Sequence, residues 1–175
     1  MKKSLFLLII LARTMNSCFH GTGVNTTPQM QFGHLLVNPR IVDGKIVSVK
    51  DTLFGHSSEE FEIVYVDTLQ LGDTVMFTAF FDSYMNNLVN VNATVDTTRV
   101  KLWFQLDTEN EQIRKLLASG SDPQKGVLNF NPMYYQVSFP IFIVPQEAGS
   151  HPVKITVVSD SEYSMNSALF TLPVK

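Results

Sequence analysis

The chain has 175 residues, 13 basic and 16 acidic side chains for a net charge of −3, and 45% apolar residues. One domain with its own core is the natural outcome at this length. A single cysteine, Cys18, excludes an intrachain disulfide, so stability must come from apolar burial.

The first element is a leader. Lys2 and Lys3 precede the uninterrupted apolar run Leu5–Ala12, and Arg13 closes it. A short basic region before a short apolar core is the layout of an export signal. The run is far below the roughly 20 residues that a membrane-spanning helix needs. Removing residues 1–17 would leave 10 basic against 16 acidic residues, a net charge of −6. Such a surface repels phosphate backbones and argues against nucleic acid as a partner.

No Ala-x-Ala cleavage site follows. Met15-Asn16-Ser17-Cys18 stands there instead, and it resembles a relaxed lipobox of bacterial lipoproteins, with Met15 for the usual Leu and Asn16 for the usual small residue. The resemblance implies diacylglycerol on the Cys18 thiol, cleavage before Cys18 and acylation of the new amino terminus. Thiolate nucleophilicity is why such chemistry uses cysteine, and two or three acyl chains make a stable anchor where one does not. Two other readings of Cys18 stay open: a catalytic thiol with His20 nearby, and an inert cysteine in an uncut leader. Phe19 rather than Asp follows the cysteine, which in the sorting rule of this family implies the outer membrane. Phe19–Gln31 contains no Asp or Glu, and by the same resemblance the periplasmic face is expected over the cell surface.

Residues 18–31, "CFHGTGVNTTPQMQ", lack periodicity and read as a flexible tether, with a β-sandwich domain expected over 32–175. "RIVDGKIVSV" (40–49) places Asp43-Gly44 between two apolar runs, a hairpin signal. "FEIVYV" (61–66) alternates, and "TVMFTAFF" (74–81) puts Val75, Phe77, Ala79 and Phe81 on one face. "RVKLWFQL" (99–106) sets Val100, Leu102, Phe104 and Leu106 against Arg99, Lys101, Trp103 and Gln105. One short helix is expected at about 108–119, capped by Thr108, with Glu111 at the capping-box position, an Ile113/Leu116/Leu117 stripe and Gly120 as its stop. Strands resume at 127–130, 134–144, 152–159 and 167–174. Pro140 inside the longest predicts an edge strand, a bulge or a break. Seven or so short strands at this spacing predict an all-β, antiparallel sandwich.

"VDTLQLGDTVMFTAFFDS" (66–83) and "EAGSHPVKITVVSDS" (147–161) resemble an early and a late strand of immunoglobulin-like and PKD-like domains. Similar stretches occur in Bacteroidetes-type lipoproteins of unassigned function. The likeness spans most of residues 60–174 and implies a fold rather than an activity. Two positions depart from it: His151 stands where a corner tyrosine is usual, and parity puts Trp103 on the polar face of its strand.

Chemistry-bearing residues are dispersed. His20, His34, His56 and His151 show no metal-ligand spacing, and no cofactor motif occurs. Asp51, Asp67, Asp73, Asp82, Asp96, Asp107 and Asp160 flank strands, where a short acceptor satisfies turn amides; a glycan-directed pair among them is the enzymatic alternative. Asp-Thr steps at Thr52, Thr68, Thr74 and Thr97 are similar to the O-glycosylation signal of exported Bacteroidetes-type proteins, and equally suit turn-to-strand geometry. Trp103, Tyr134 and Tyr135 are candidate ligand contacts, since rings stack on sugar faces or anchor protein partners. The expectation is a lipid-anchored, non-enzymatic envelope module that binds a glycan or an envelope protein. An envelope hydrolase and a structural subunit of a surface fibre, with a sheet edge open to a donated strand, are the alternatives.

Overall fold

The computed structural model describes residues 27–33, 35–43, 45–47, 50–52, 68–83, 86–132, 135–160 and 165–175. Twelve strands are described: β1 (Gln29–Phe32), β2 (Leu35–Val37), β3 (Arg40–Val42), β4 (Lys45–Val47), β5 (Lys50–Thr52), β6 (Val75–Asp82), β7 (Leu88–Thr94), β8 (Val100–Phe104), β9 (Val127–Asn129), β10 (Gln136–Pro145), β11 (Gly149–Ser159) and β12 (Met165–Val174). The helix α1 (Glu111–Leu116) and a 3-10 turn (Pro123–Lys125) lie between β8 and β9. The predicted strand at 61–66 lies outside the described residues.

Two antiparallel sheets face each other. One has the order β5-β2-β6-β10-β8, with β1 also on β6, and the other has β12-β11-β7-β9. β1 and β2 follow one another along β6, with Phe32 opposite Ala79 and Leu36 opposite Met76. Taking the two together as A, the orders read A-B-E-D and G-F-C, the immunoglobulin-like arrangement, with β5 added beside A and β9 beside the C strand. The chain is thus an all-β, immunoglobulin-like sandwich.

Alternation builds the core as the sequence predicts. Val75, Phe77, Ala79 and Phe81 of β6 are all fully buried, as are Ile141 and Ile143 of β10 and Val153, Ile155 and Val157 of β11. Phe77 meets Phe32 at 5.6 Å and crosses to Phe170 of the other sheet at 5.9 Å, both edge to face. Phe139 stacks on Phe81 at 5.3 Å and tilts against Phe104 at 4.9 Å. These rings are the joint between the two layers.

The hairpin at Asp43-Gly44 forms, with Arg40 opposite Val47 and Asp43 at φ 51°. The expected start of the domain and the expected bounds and caps of the helix are corrected. The ordered domain begins before Phe32, because Gln29–Gln31, assigned to the tether, pair with Asp82–Phe80. The helix is six residues long rather than twelve. Asn110 and not Thr108 caps it, by accepting from the Gln112 N–H at 2.9 Å, since Asp107–Asn110 already closes a turn of its own. Gly120 does not stop the helix either: Leu117 turns extended and bridges Phe130, while the Asn131 amide donates to the carbonyls of Lys115 and Leu117. Pro140, finally, lies in an unbroken strand at the point where it passes from interior to edge, since β8 covers only Ile141–Pro145 while β6 covers Gln136–Ile143. Its missing N–H faces β8 beside Gln105, whose own N–H donates to the Pro140 carbonyl at 2.9 Å. The proline therefore costs one ladder bond, at the point where β8 ends.

His151 explains the absent corner tyrosine. It is the third residue of β11, opposite Leu172 of β12, is 3% exposed, and its Nε2 lies 2.8 Å from the Glu147 carbonyl, four residues upstream. A corner tyrosine hydroxyl makes the same backward bond. His151→Phe is expected to lower stability by about 1 kcal/mol, the net worth of one such bond. His151→Tyr should recover part of that loss in parallel thermal melts, and equal melting of both variants would deny the bond its role.

Candidate functional site

Trp103 is the most informative candidate. On β8 the residues Val100, Leu102 and Phe104 point into the core, so Trp103 projects from the outer face of the sheet. Cross-strand register then places Leu36, Met76, Phe142 and Trp103 in one row over four strands. The indole stacks on Phe142 with centroids 5.1 Å apart and planes 9° from parallel. Lys101 Nζ lies over the indole at 5.4 Å, and Nε1–H donates to Gln105 Oε1 at 3.4 Å. Trp103 is therefore half-buried, an amphipathic ring with an ammonium and a carboxamide at its sides. Such a patch offers apolar area and polar groups together, the combination that protein anchors and sugar-stacking sites share.

Tyr135 is half-exposed but does not join this patch. It precedes β10, seven residues from Phe142, a separation of about 23 Å along a strand. Its carbonyl accepts from the Ser83 N–H at 2.8 Å and from the Ser83 hydroxyl at 3.0 Å, tying it to the turn after β6. Tyr134, Cys18, His20, His34 and His56 lie outside the described residues.

Of the threonines in Asp-Thr steps, Thr68 and Thr74 are half-buried, and the Thr74 N–H donates to Asn38 Oδ1 at 2.9 Å. Thr97 is exposed at the tip of a turn. Thr52 ends β5, where its side chain is not described.

Turn amides and neighbouring side chains occupy Asp73, Asp82, Asp96, Asp107 and Asp160. Asp73 accepts from the Asn38 amide and the Gln70 N–H, both at 2.8 Å. Asp82 accepts from the Gln136 amide, Asp107 from the Glu109 N–H, and Asp160 from the N–H and amide of Asn87. Asp96 accepts from the Thr98 hydroxyl at 2.6 Å and its N–H at 3.0 Å, and Arg99 bridges it to Glu147. The Thr98 hydroxyl first, then its N–H, hold the Asp96 carboxyl below the ordinary value of 3.8, with smaller help from Arg99 and His151. Asp51 and Asp67 have no described side chains. Among the described residues no three His, Cys, Asp or Glu side chains converge on a metal-sized site, and no helix is long and apolar enough to cross a membrane.

Neither a protein-family model nor a curated protein matches the chain. Similar solved structures share the fold alone. A family 123 glycoside hydrolase from Clostridium perfringens is 16% identical, with 61% of this chain and 22% of that one covered at a TM-score of 0.37. The seventh PapD-like domain of human CEP192 is 11% identical over 74% of this chain and 96% of that one, at 0.36. The secreted serine protease VesC of Vibrio cholerae is 12% identical over 62% and 21%, at 0.29. This chain thus spans about a fifth of the length of the hydrolase and of the protease.

Proposed function

We propose that this chain is a bacterial lipoprotein of the outer membrane, anchored through Cys18 on the periplasmic face, whose sandwich is a non-enzymatic binding or assembly module. The patch of Trp103, Phe142, Lys101 and Gln105 carries the binding half of this reading. A large ring held on the outside of a sheet by another ring, rather than in the core, leaves amphipathic area for a glycan or an envelope protein. The anchoring half rests on Lys2-Lys3, the short apolar run and Met15-Asn16-Ser17-Cys18. The non-enzymatic reading draws support from Asp73, Asp96 and Asp160, each of which is spent on fixing its own turn or loop.

The fibre-subunit reading finds less support. The outer edge of β12 is closed at one end by Pro173, which has no N–H and whose carbonyl accepts from Leu69. It is closed at the other by Ser167, whose N–H is taken by Asn166 Oδ1. Leu169 and Thr171 remain open among the described residues, a short edge for a donated strand.

The test is a pull-down from native envelopes with tagged mature chain against its Trp103→Ala variant, run beside labelled-palmitate growth of wild type and Cys18→Ser. A retained glycan or protein that is lost with Trp103, and label that is lost with Cys18, are expected. Equal retention would remove the patch as the site, and equal label would remove the anchor.

A further inference from the structure

The two ends of the sandwich differ, and the point where the chain enters distinguishes them. β1 begins at Gln29, opposite Asp82 at the end of β6, which has Gln136 at the start of β10 on its other side. The turn after β6 and the start of β12 share this end, because Leu88 pairs with Ser159, and Val158 with Met165. Three of the six exposed large apolar side chains among the described residues lie here: Tyr135 before β10, Val89 at the irregularity in β7, and Met165 at the first position of β12, 60% exposed. They come from both sheets and share the end at which β1 begins. The opposite end holds the Asp96–Arg99–Glu147 ion cluster, the exposed Thr97 and Leu71, whose turn is fixed by Gly72 N–H to the Pro145 carbonyl.

We propose that the end carrying Val89, Tyr135 and Met165 rests on a phospholipid bilayer, so that Trp103 and the Asp96–Glu147 end face away from the membrane. This rests on the Cys18 anchor proposed above. Eight residues lie between Cys18 and Thr27, nine steps of the chain with a reach of at most about 32 Å. An anchored chain is thereby confined within contact distance of lipid, where weak side-chain affinities count as intramolecular ones. A tyrosine, a valine and a methionine suit that position: apolar bodies enter the interface, and the phenol stays with the headgroups. Exposed apolar groups at a lipid-facing end need no protein to cover them, which accounts for their placement at the incoming chain.

Cys18 is the only cysteine, so the chain from Cys18 onward can be coupled through it to a maleimide phospholipid in phosphatidylcholine vesicles. Trp103 is likewise the only tryptophan. A Trp103→Phe background therefore accepts one reporter at a time, Tyr135→Trp or Leu71→Trp. Tyr135 and Pro145, beside the Leu71 turn, are ten residues apart along β10, about 33 Å. With brominated lipid, loss of emission is expected for Tyr135→Trp and none for Leu71→Trp. Quenching of both, of neither, or of Leu71→Trp alone overturns the orientation. Palmitate-labelled Cys18 with an unquenched Tyr135→Trp overturns the orientation and leaves the anchor standing. Unlabelled Cys18 with end-selective quenching overturns the anchor and leaves the lipid affinity of this end standing.

Discussion

Phe77→Ala is expected to lower the unfolding free energy by about 3–5 kcal/mol, the range for removing a buried aromatic ring from a close-packed core. The ring is fully buried at the middle of β6 and touches both layers, Phe32 on its own sheet and Phe170 on the facing one. Its removal takes away burial and two edge-to-face contacts, and strands on either side cannot close the gap without shifting the ladder. A domain of this size has roughly 5–15 kcal/mol in total, so the variant should unfold at a much lower urea concentration with an unchanged slope. Phe80→Ala is the control, since Phe80 alternates to the outer face of the same strand and is half-buried. Similar losses in the two variants would mean that the sheets are not joined where the rings place them.

That control was legible in the sequence. Period-two alternation in "TVMFTAFF" assigns each residue of β6 to its face, and in "RVKLWFQL" it sends Trp103 outward while Leu102 and Phe104 go in. Alternation is a local property of one strand, so fold class and core residues follow from it. Cross-strand neighbours are not local. That Phe142 would lie beside Trp103 depends on a register set by strands nearly forty residues apart, and nothing in either segment states it. The same limit explains the helix. Thr108 and Gly120 are sound local signals, but Asn131 and Phe130, which close the helix after Leu116, act from β9 and beyond. Which of the alternatives at Pro140 holds is not local for a related reason. A missing N–H matters only on the side where a partner strand continues, and that side is fixed by tertiary pairing.

Gly126→Ala is expected to cost about 2–5 kcal/mol, because two penalties coincide at one atom. Gly126 ends the 3-10 turn at φ 68°, with its N–H on the Pro123 carbonyl, and then leads into β9. A side chain in the left-handed region costs about 1–2 kcal/mol. A Cβ would also stand 2.7 Å from Leu102 Cδ2, 3.2 Å from Ala93 Cβ and 3.6 Å from Phe104 Cζ. Leu102 and Phe104 are inner residues of β8, and the Gly126 carbonyl accepts from the Ala93 N–H of β7 at 2.8 Å. The glycine is thus the point where the crossing segment touches both sheets, and overpacking there adds about 1–3 kcal/mol. Gly72→Ala separates the two terms. Gly72 has φ 83° but open space around its Cβ position, so it should lose only the conformational part. Urea midpoints of the two variants then give the packing term by difference. Equal midpoint shifts would show that β8 and the crossing segment are not in contact, and the closure of this end of the sandwich would need another explanation.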